Sequence, residues 1–217
     1  MSKYISEQQQ LQNIGILFNN LSEGSPLATE LAEYGYTTAE IAKGKALYTQ
    51  AQDLYQTNIR EGQEETQAYA NFKKELTLLN ATYATDRKKA RIIYKENPEV
   101  LTNLRLKGKT PYAMATLLEN IGVFYNTLKT NESLRTPLQR LKITETTLDA
   151  QLAQLSKTEK AYAAYAQEKG ENQQATKDKN KALNEVDKWV REFYSIAKIA
   201  LEDKPQLLES LAKFVRS

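Results

Sequence analysis

The chain has no cysteine and no histidine among its 217 residues, and only 8 glycines and 5 prolines. Without cysteine there is no disulfide and no thiolate site, which suits a reducing compartment. Without histidine the commonest general base, metal ligand and pH switch are gone. Ser-His and Cys-His nucleophile pairs are excluded, as are zinc sites on those ligands and the Glu-x-x-His clusters of di-iron bundles. An all-carboxylate Mg²⁺ or Ca²⁺ site stays open, but no D-x-D-x-D-G loop offers one. Scarce glycine and proline favour long helices over a turn-rich sheet protein. No apolar run approaches the roughly 18 residues of a membrane span. The start, MSKYISEQQQLQ, lacks the basic-then-apolar plan of a secretory signal. A cytoplasmic protein without membrane association is the expectation.

What is present is ordinary in amount. Hydrophobic residues make up 41% and charged residues 26%, which argues against disorder. The net charge of +3 and pI near 8.8 are mildly basic, short of a dedicated nucleic-acid binder.

The informative feature is internal. Residues 11–21 read LQNIGILFNNL and residues 118–128 read LENIGVFYNTL, an offset of 107. The same offset, without a gap, pairs Leu27, Thr29 and Leu31 with Leu134, Thr136 and Leu138. It pairs Tyr55 with Tyr162, Ala90 and Ile92 with Ala197 and Ile199, and Pro98 with Pro205. Roughly a quarter of paired positions are identical. Shared helix formers explain some of this, but not Asn-Ile-Gly twice and a matched proline. The chain reads as two tandem repeats, 1–108 and 109–217, expected to pack as one domain.

Each repeat divides alike. A first helix is expected over about 5–23 and 112–130, with Leu11, Ile14, Phe18 and Leu21 at helical spacing. Gly24 and Asn131 stand just past these helices as left-handed caps. Ser25-Pro26 reads as an N-cap with Pro at the first helical position. A second helix begins at Thr37 and at Thr144, and Thr37 with Glu40 fits a capping box. Breaks at Gly62 and Gly170 predict tight turns into a third helix, about 64–96 and 171–203. Its seam in the second repeat is Leu183, Val186, Val190, Phe193, Ala197 and Ala200. The first repeat puts Asp86 in the slot of Phe193. A lone carboxylate there is costly, so Asp86 is expected to pair with a Lys or Arg, or to meet solvent. Asn97-Pro98 and Lys204-Pro205 end the third helix. A short fourth helix follows, PEVLTNLRL and PQLLESLAKF. Three main helices and a short one per repeat give an all-α, elongated antiparallel bundle with pseudo-two-fold symmetry.

Few features could carry chemistry. The chain has 13 tyrosines. Tyr48, Tyr55, Tyr83 and Tyr162 lie on seams, where rings line a groove for bases or fill a core; helical spacing favours the core. DRKKAR at 86–91, with the cations just after it, assembles a candidate phosphate-contact patch: Arg87, Lys88, Lys89, Arg91, Arg105, Lys107 and Lys109. The second repeat lacks this run, and a solvated helix face is the plainer explanation. AKGKALY at 42–48 lacks the spacing of a phosphate loop and lies inside a helix. Asn13, Gly15 and Asn19 match Asn120, Gly122 and Asn126. They mark either an inter-repeat pocket or a close helix crossing, since glycine inside a helix costs about 1 kcal/mol unless packing uses it. The crossing is the expectation, with no room for a side chain at either glycine.

No catalytic constellation is visible, so no enzyme and no cofactor are expected. The reading is a non-enzymatic helical protein that acts through protein–protein contacts or as a scaffold. A nucleic-acid-associated role through the one-sided basic patch is the first alternative. A small-ligand binder with a pocket between the repeats is the second.

Overall fold

The computed structural model describes residues 5–204 together with 206 and 207. The protein is all-α, with seven helices and no strands among the described residues. They are α1 (Glu7–Asn20), α2 (Pro26–Ala32), α3 (Thr38–Ile93), α4 (Pro98–Asn103), α5 (Met114–Thr130), α6 (Glu132–Gln139) and α7 (Glu145–Ala200). The two long helices, α3 and α7, have 56 residues each and pack antiparallel. No helix among the described residues is long and apolar enough to cross a membrane.

The tight turns expected at Gly62 and Gly170 do not form. Both glycines sit inside unbroken helices, so the expected second and third helices are one helix in each half. The physical reason lies in the flanks. REGQEETQ and EKGENQQ surround each glycine mostly with good helix formers and hold no proline after it. A single glycine costs about 1 kcal/mol, too little to break a helix held on both sides by packing. The fourth helix expected over 205–214 lies outside the described residues, apart from Gln206 and Leu207.

The caps follow local chemistry. The Ser25 side chain accepts the Ala28 N–H at 3.1 Å with Pro26 at the first helical position. Asn97 does the same for Val100 at 3.1 Å. Gly24 takes the expected left-handed conformation, φ +76°, but Asn131 does not. With φ −116° it is instead the N-cap of α6, and its Oδ1 accepts the Leu134 N–H at 3.2 Å. The Thr37 capping box is half made. Thr37 Oγ1 accepts the Glu40 N–H at 3.4 Å, while the Glu40 carboxylate turns to Lys43 and Trp189.

The chain divides into two compact units. Unit 1 runs up to Gly62 and resumes at Glu171; unit 2 is Gln63–Gly170. In unit 1, α1 and α2 give Leu11, Ile14, Leu17, Phe18, Leu27 and Leu31 to a core. The far end of α7 gives Val186, Val190, Phe193 and Ala197. In unit 2, α5 gives Leu118, Ile121, Phe124, Tyr125 and Leu128. These meet Leu79, Tyr83 and Ala90 of α3, Leu104 and Leu106 beyond α4, and Leu148 and Leu155 of α7. Each such side chain contributes about 1.5–3 kcal/mol by leaving water. Tyr83 is fully enclosed, and Tyr48, Tyr55 and Tyr162 pack half-buried against the cores, so these seam tyrosines serve as packing.

Each core therefore draws on residues from both sides of the 107–111 link. Replacing Gly108-Lys109 by a protease-cleavable sequence and cutting it should leave fragments 1–108 and 109–217 folded together. They are expected to elute as one species of the intact mass in size exclusion and to part only in denaturant. Separation under native conditions would contradict the shared cores.

Candidate functional site

The basic stretch lies wholly in unit 2, on the last turns of α3 and the loop beyond α4. Its members have different roles. Arg87 donates to the carbonyl oxygens of Leu106 at 3.2 Å and Gly108 at 2.7 Å, so its guanidinium ties the 106–108 loop to α3. Lys89 pairs with Asp86 at 3.1 Å. Lys88, Arg91, Arg105, Lys107 and Lys109 are exposed. Arg105 has φ +54°, a left-handed turn residue that reverses the chain after α4. Five exposed cations thus remain near one another in sequence, and two are committed to the fold.

Asp86 takes the first of its two expected routes. It is 5% exposed, bonded to Lys89 on one oxygen and accepting from the Tyr125 hydroxyl at 3.3 Å on the other. Burial first, then the Asp86 carboxylate, pushes the Tyr125 hydroxyl well above the ordinary tyrosine range. Burial likewise raises Tyr83, with Arg87 opposing. Both phenols are neutral at physiological pH, which is what allows Tyr125 to donate. Losing the carboxylate leaves a buried hydroxyl unpaired, at about 1–3 kcal/mol. Asp86→Leu alone should therefore destabilise by about 1 kcal/mol in urea titrations, because Lys89 can turn to water but Tyr125 cannot. Adding Tyr125→Phe should restore most of the loss. A double variant as unstable as the sum of the singles would show that the two groups are uncoupled.

The paired Asn and Gly positions fall in different units. In unit 1, Gly15 of α1 faces Tyr48 of α3: a Cβ there would lie 2.5 Å from the Tyr48 hydroxyl oxygen. In unit 2, Gly122 of α5 faces Leu155 of α7, where a Cβ would lie 3.4 Å from Leu155 Cδ2, an ordinary contact. The expectation of no space for a side chain therefore stands at Gly15 and fails at Gly122, because Leu155 is shorter than Tyr48. Both approaches join helices within the same half of the sequence. Asn13 and Asn120 are half-buried on their helices. Asn13 accepts from Gln9 at 3.1 Å. Asn19 and Asn126 are exposed, and Asn19 lines a surface groove.

That groove, about 480 Å³, lies between the end of α1, α2 and the start of α3. Leu21, Ala28, Ala32 and Ile41 are among its apolar lining residues, and Asn19, Glu23, Thr29 and Lys45 are among its polar ones. Beside it stands an aromatic cluster that composition alone did not single out. The Trp189 ring stacks on Phe193 with centroids 5.5 Å apart, and meets Tyr36 edge-on at 5.6 Å and Phe18 at 5.4 Å. Its Nε1–H donates to Glu40 at 3.3 Å. The ring rests directly on Gly44, where a Cβ would stand 2.5 Å from two ring carbons. The signal for this seat was present as a lone glycine in a helix interior, between Lys43 and Lys45.

The glycines separate cleanly by experiment. Gly44→Ala gains about 1 kcal/mol of helix propensity but collides with a rigid ring, and overpacking costs about 1–3 kcal/mol. It should lower the melting temperature. Gly122→Ala should be neutral or raise it. Thermal melts of the two variants check both signs.

No protein-family model, no curated protein and no solved structure matches this chain.

Proposed function

We propose that this is a non-enzymatic, cytoplasmic helical protein, built as two tandem copies of one unit, that works by binding other proteins. Several coincidences support the duplication. Adding 107 to the bounds of α3, 38 and 93, gives those of α7, 145 and 200. Gly35 and Lys142, also 107 apart, both have positive φ, +92° and +63°. Buried positions recur at the same offset: Leu11 and Leu118, Ile14 and Ile121, Leu31 and Leu138, Ala90 and Ala197. On this reading each compact unit joins the first part of one copy to the last part of the other, as in a fused, exchanged dimer under a pseudo-two-fold.

The observation that carries the protein-contact reading is the groove on unit 1. An apolar floor within a polar rim is the form of an anchor pocket at a protein interface. The full chain, tagged and recovered from its native cell at physiological salt, is expected to bring a protein with it in stoichiometric amount. Recovery of neither protein nor any other macromolecule would overturn this.

The second reading, nucleic-acid association, rests on the five exposed cations of unit 2. Its probe is a generic duplex at low ionic strength, where counterion release favours binding most. Lys88→Glu with Arg91→Glu is the suitable variant, because Lys89 is bonded to Asp86. Retention that falls steeply with salt and is lost in this variant would put the second reading first. The third reading is a small-ligand binder; the groove that would serve it lies in unit 1 and takes Asn19, of the paired Asn and Gly positions, into its lining.

A further inference from the structure

We infer that the groove between α1, α2 and the start of α3 receives an arginine side chain presented by a partner polypeptide. The inference rests on the tandem-copy and protein-contact readings above, and it comes from comparing the two copies at this one place.

At the positions 107 residues on, the corresponding place in unit 2 is filled by the chain itself. Arg135 corresponds to Ala28. Its Nη1 donates to the carbonyl oxygens of Leu128 at 3.5 Å and Lys129 at 2.8 Å, on the last turn of α5. Lys129 corresponds to Ser22, and it forms an ion pair with Asp149, which corresponds to Ala42. Unit 1 therefore holds three small side chains where unit 2 holds a guanidinium and an ion pair. All three line the groove. The side chains that unit 2 places here have no counterpart of their size in unit 1.

The electrostatics favour the same kind of occupant. The carbonyl end of a helix carries roughly half a negative charge. α5 ends with Lys129 in its last turn, whereas α1 has no basic residue there. Glu23 lies just beyond that end of α1 and adds a carboxylate to the lining; Lys45, on α3, is the one cation among the described lining residues. A guanidinium fits better than an ammonium. Its planar fork can meet two carbonyls at once and is more weakly hydrated, and its methylene stem suits walls of alanine, leucine and isoleucine.

The test is a titration of the isotopically labelled full chain, read from backbone amide shifts, with N-acetyl-arginine amide as probe. N-acetyl-lysine amide and N-acetyl-leucine amide are the comparisons. The arginine probe should give saturable shifts at Leu21–Gly24 and Ala28, with roughly millimolar affinity for so small a ligand. The lysine probe should bind about tenfold more weakly. Ala28→Arg should abolish the shifts, since its own guanidinium then takes the place that Arg135 takes in unit 2. Glu23→Gln, a change at an exposed residue that spares the core, should weaken them several-fold. Absence of saturable shifts, equal shifts with the leucine probe, or shifts retained in Glu23→Gln at full strength would overturn the proposal. Its failure is distinct from that of the wider reading. A partner captured equally by wild type and Ala28→Arg leaves protein binding standing and removes the arginine groove. Arginine binding without any captured protein does the reverse.

Discussion

A helix with an apolar stripe gains little in water until something covers that stripe, and α3 and α7 each carry one along most of their length. Neither can cover its own. In unit 1 the first part of α3 and the last part of α7 face each other with α1 and α2 packed on them. In unit 2 the remaining parts do so with α5 and α6. Both cores thus depend on the pairing of the same two helices. The absence of proline from both is what makes this possible, since one proline within either helix would remove a backbone hydrogen bond and kink it.

The two cores meet the same packing problem with different chemistry. Unit 1 stacks rings: Phe18, Tyr36, Trp189 and Phe193, with Gly44 cut away to seat the indole. Unit 2 has Tyr125 and Asp86 at the places of Phe18 and Phe193, closed off by Lys89. A buried carboxylate is tolerable only when its oxygens are bonded, and here both are. A further exchange runs the other way. Lys179, 8% exposed, is held by both oxygens of Glu7 at 2.6 and 2.8 Å in unit 1, while the matching residues in unit 2 are Phe72 and Met114. Polar and apolar pairs of similar bulk have traded places between the units.

How much of this was legible depended on the range of the interaction. Apolar spacing marked α1, α5 and the seam of α7, because a helix face is a local pattern. Ser25-Pro26 marked a helix start and Asn97-Pro98 a helix end for the same reason. Gly62 misled, because whether one glycine ends a helix is decided by what packs on either side of it. Asn131 misled because the same residue type serves a helix end or a helix start, and only the path of the chain distinguishes them. At the candidate sites, the presence of cations at 87–109 was readable. That Arg87 ties down a loop was not, since its acceptors are carbonyls some twenty residues away. Of the Trp189 seat the lone Gly44 was readable and its partner was not, for the same reason: glycine and indole lie far apart in the sequence.

The nesting of unit 2 within the sequence of unit 1 sets an order of events during synthesis. The ribosome delivers Gln63–Gly170 as one uninterrupted stretch, so unit 2 has all its parts as soon as Gly170 emerges. The apolar faces of α1 and α2 emerge before any part of unit 2 but must wait for the far end of α7. At about 5–20 residues per second, Leu11, Ile14 and Leu17 stand without Val186 and Phe193 for on the order of ten to thirty seconds. Helices α1 and α2, made before the rest of both cores, are thus the last to be covered, and in that interval their leucines are open to whatever binds exposed apolar helices.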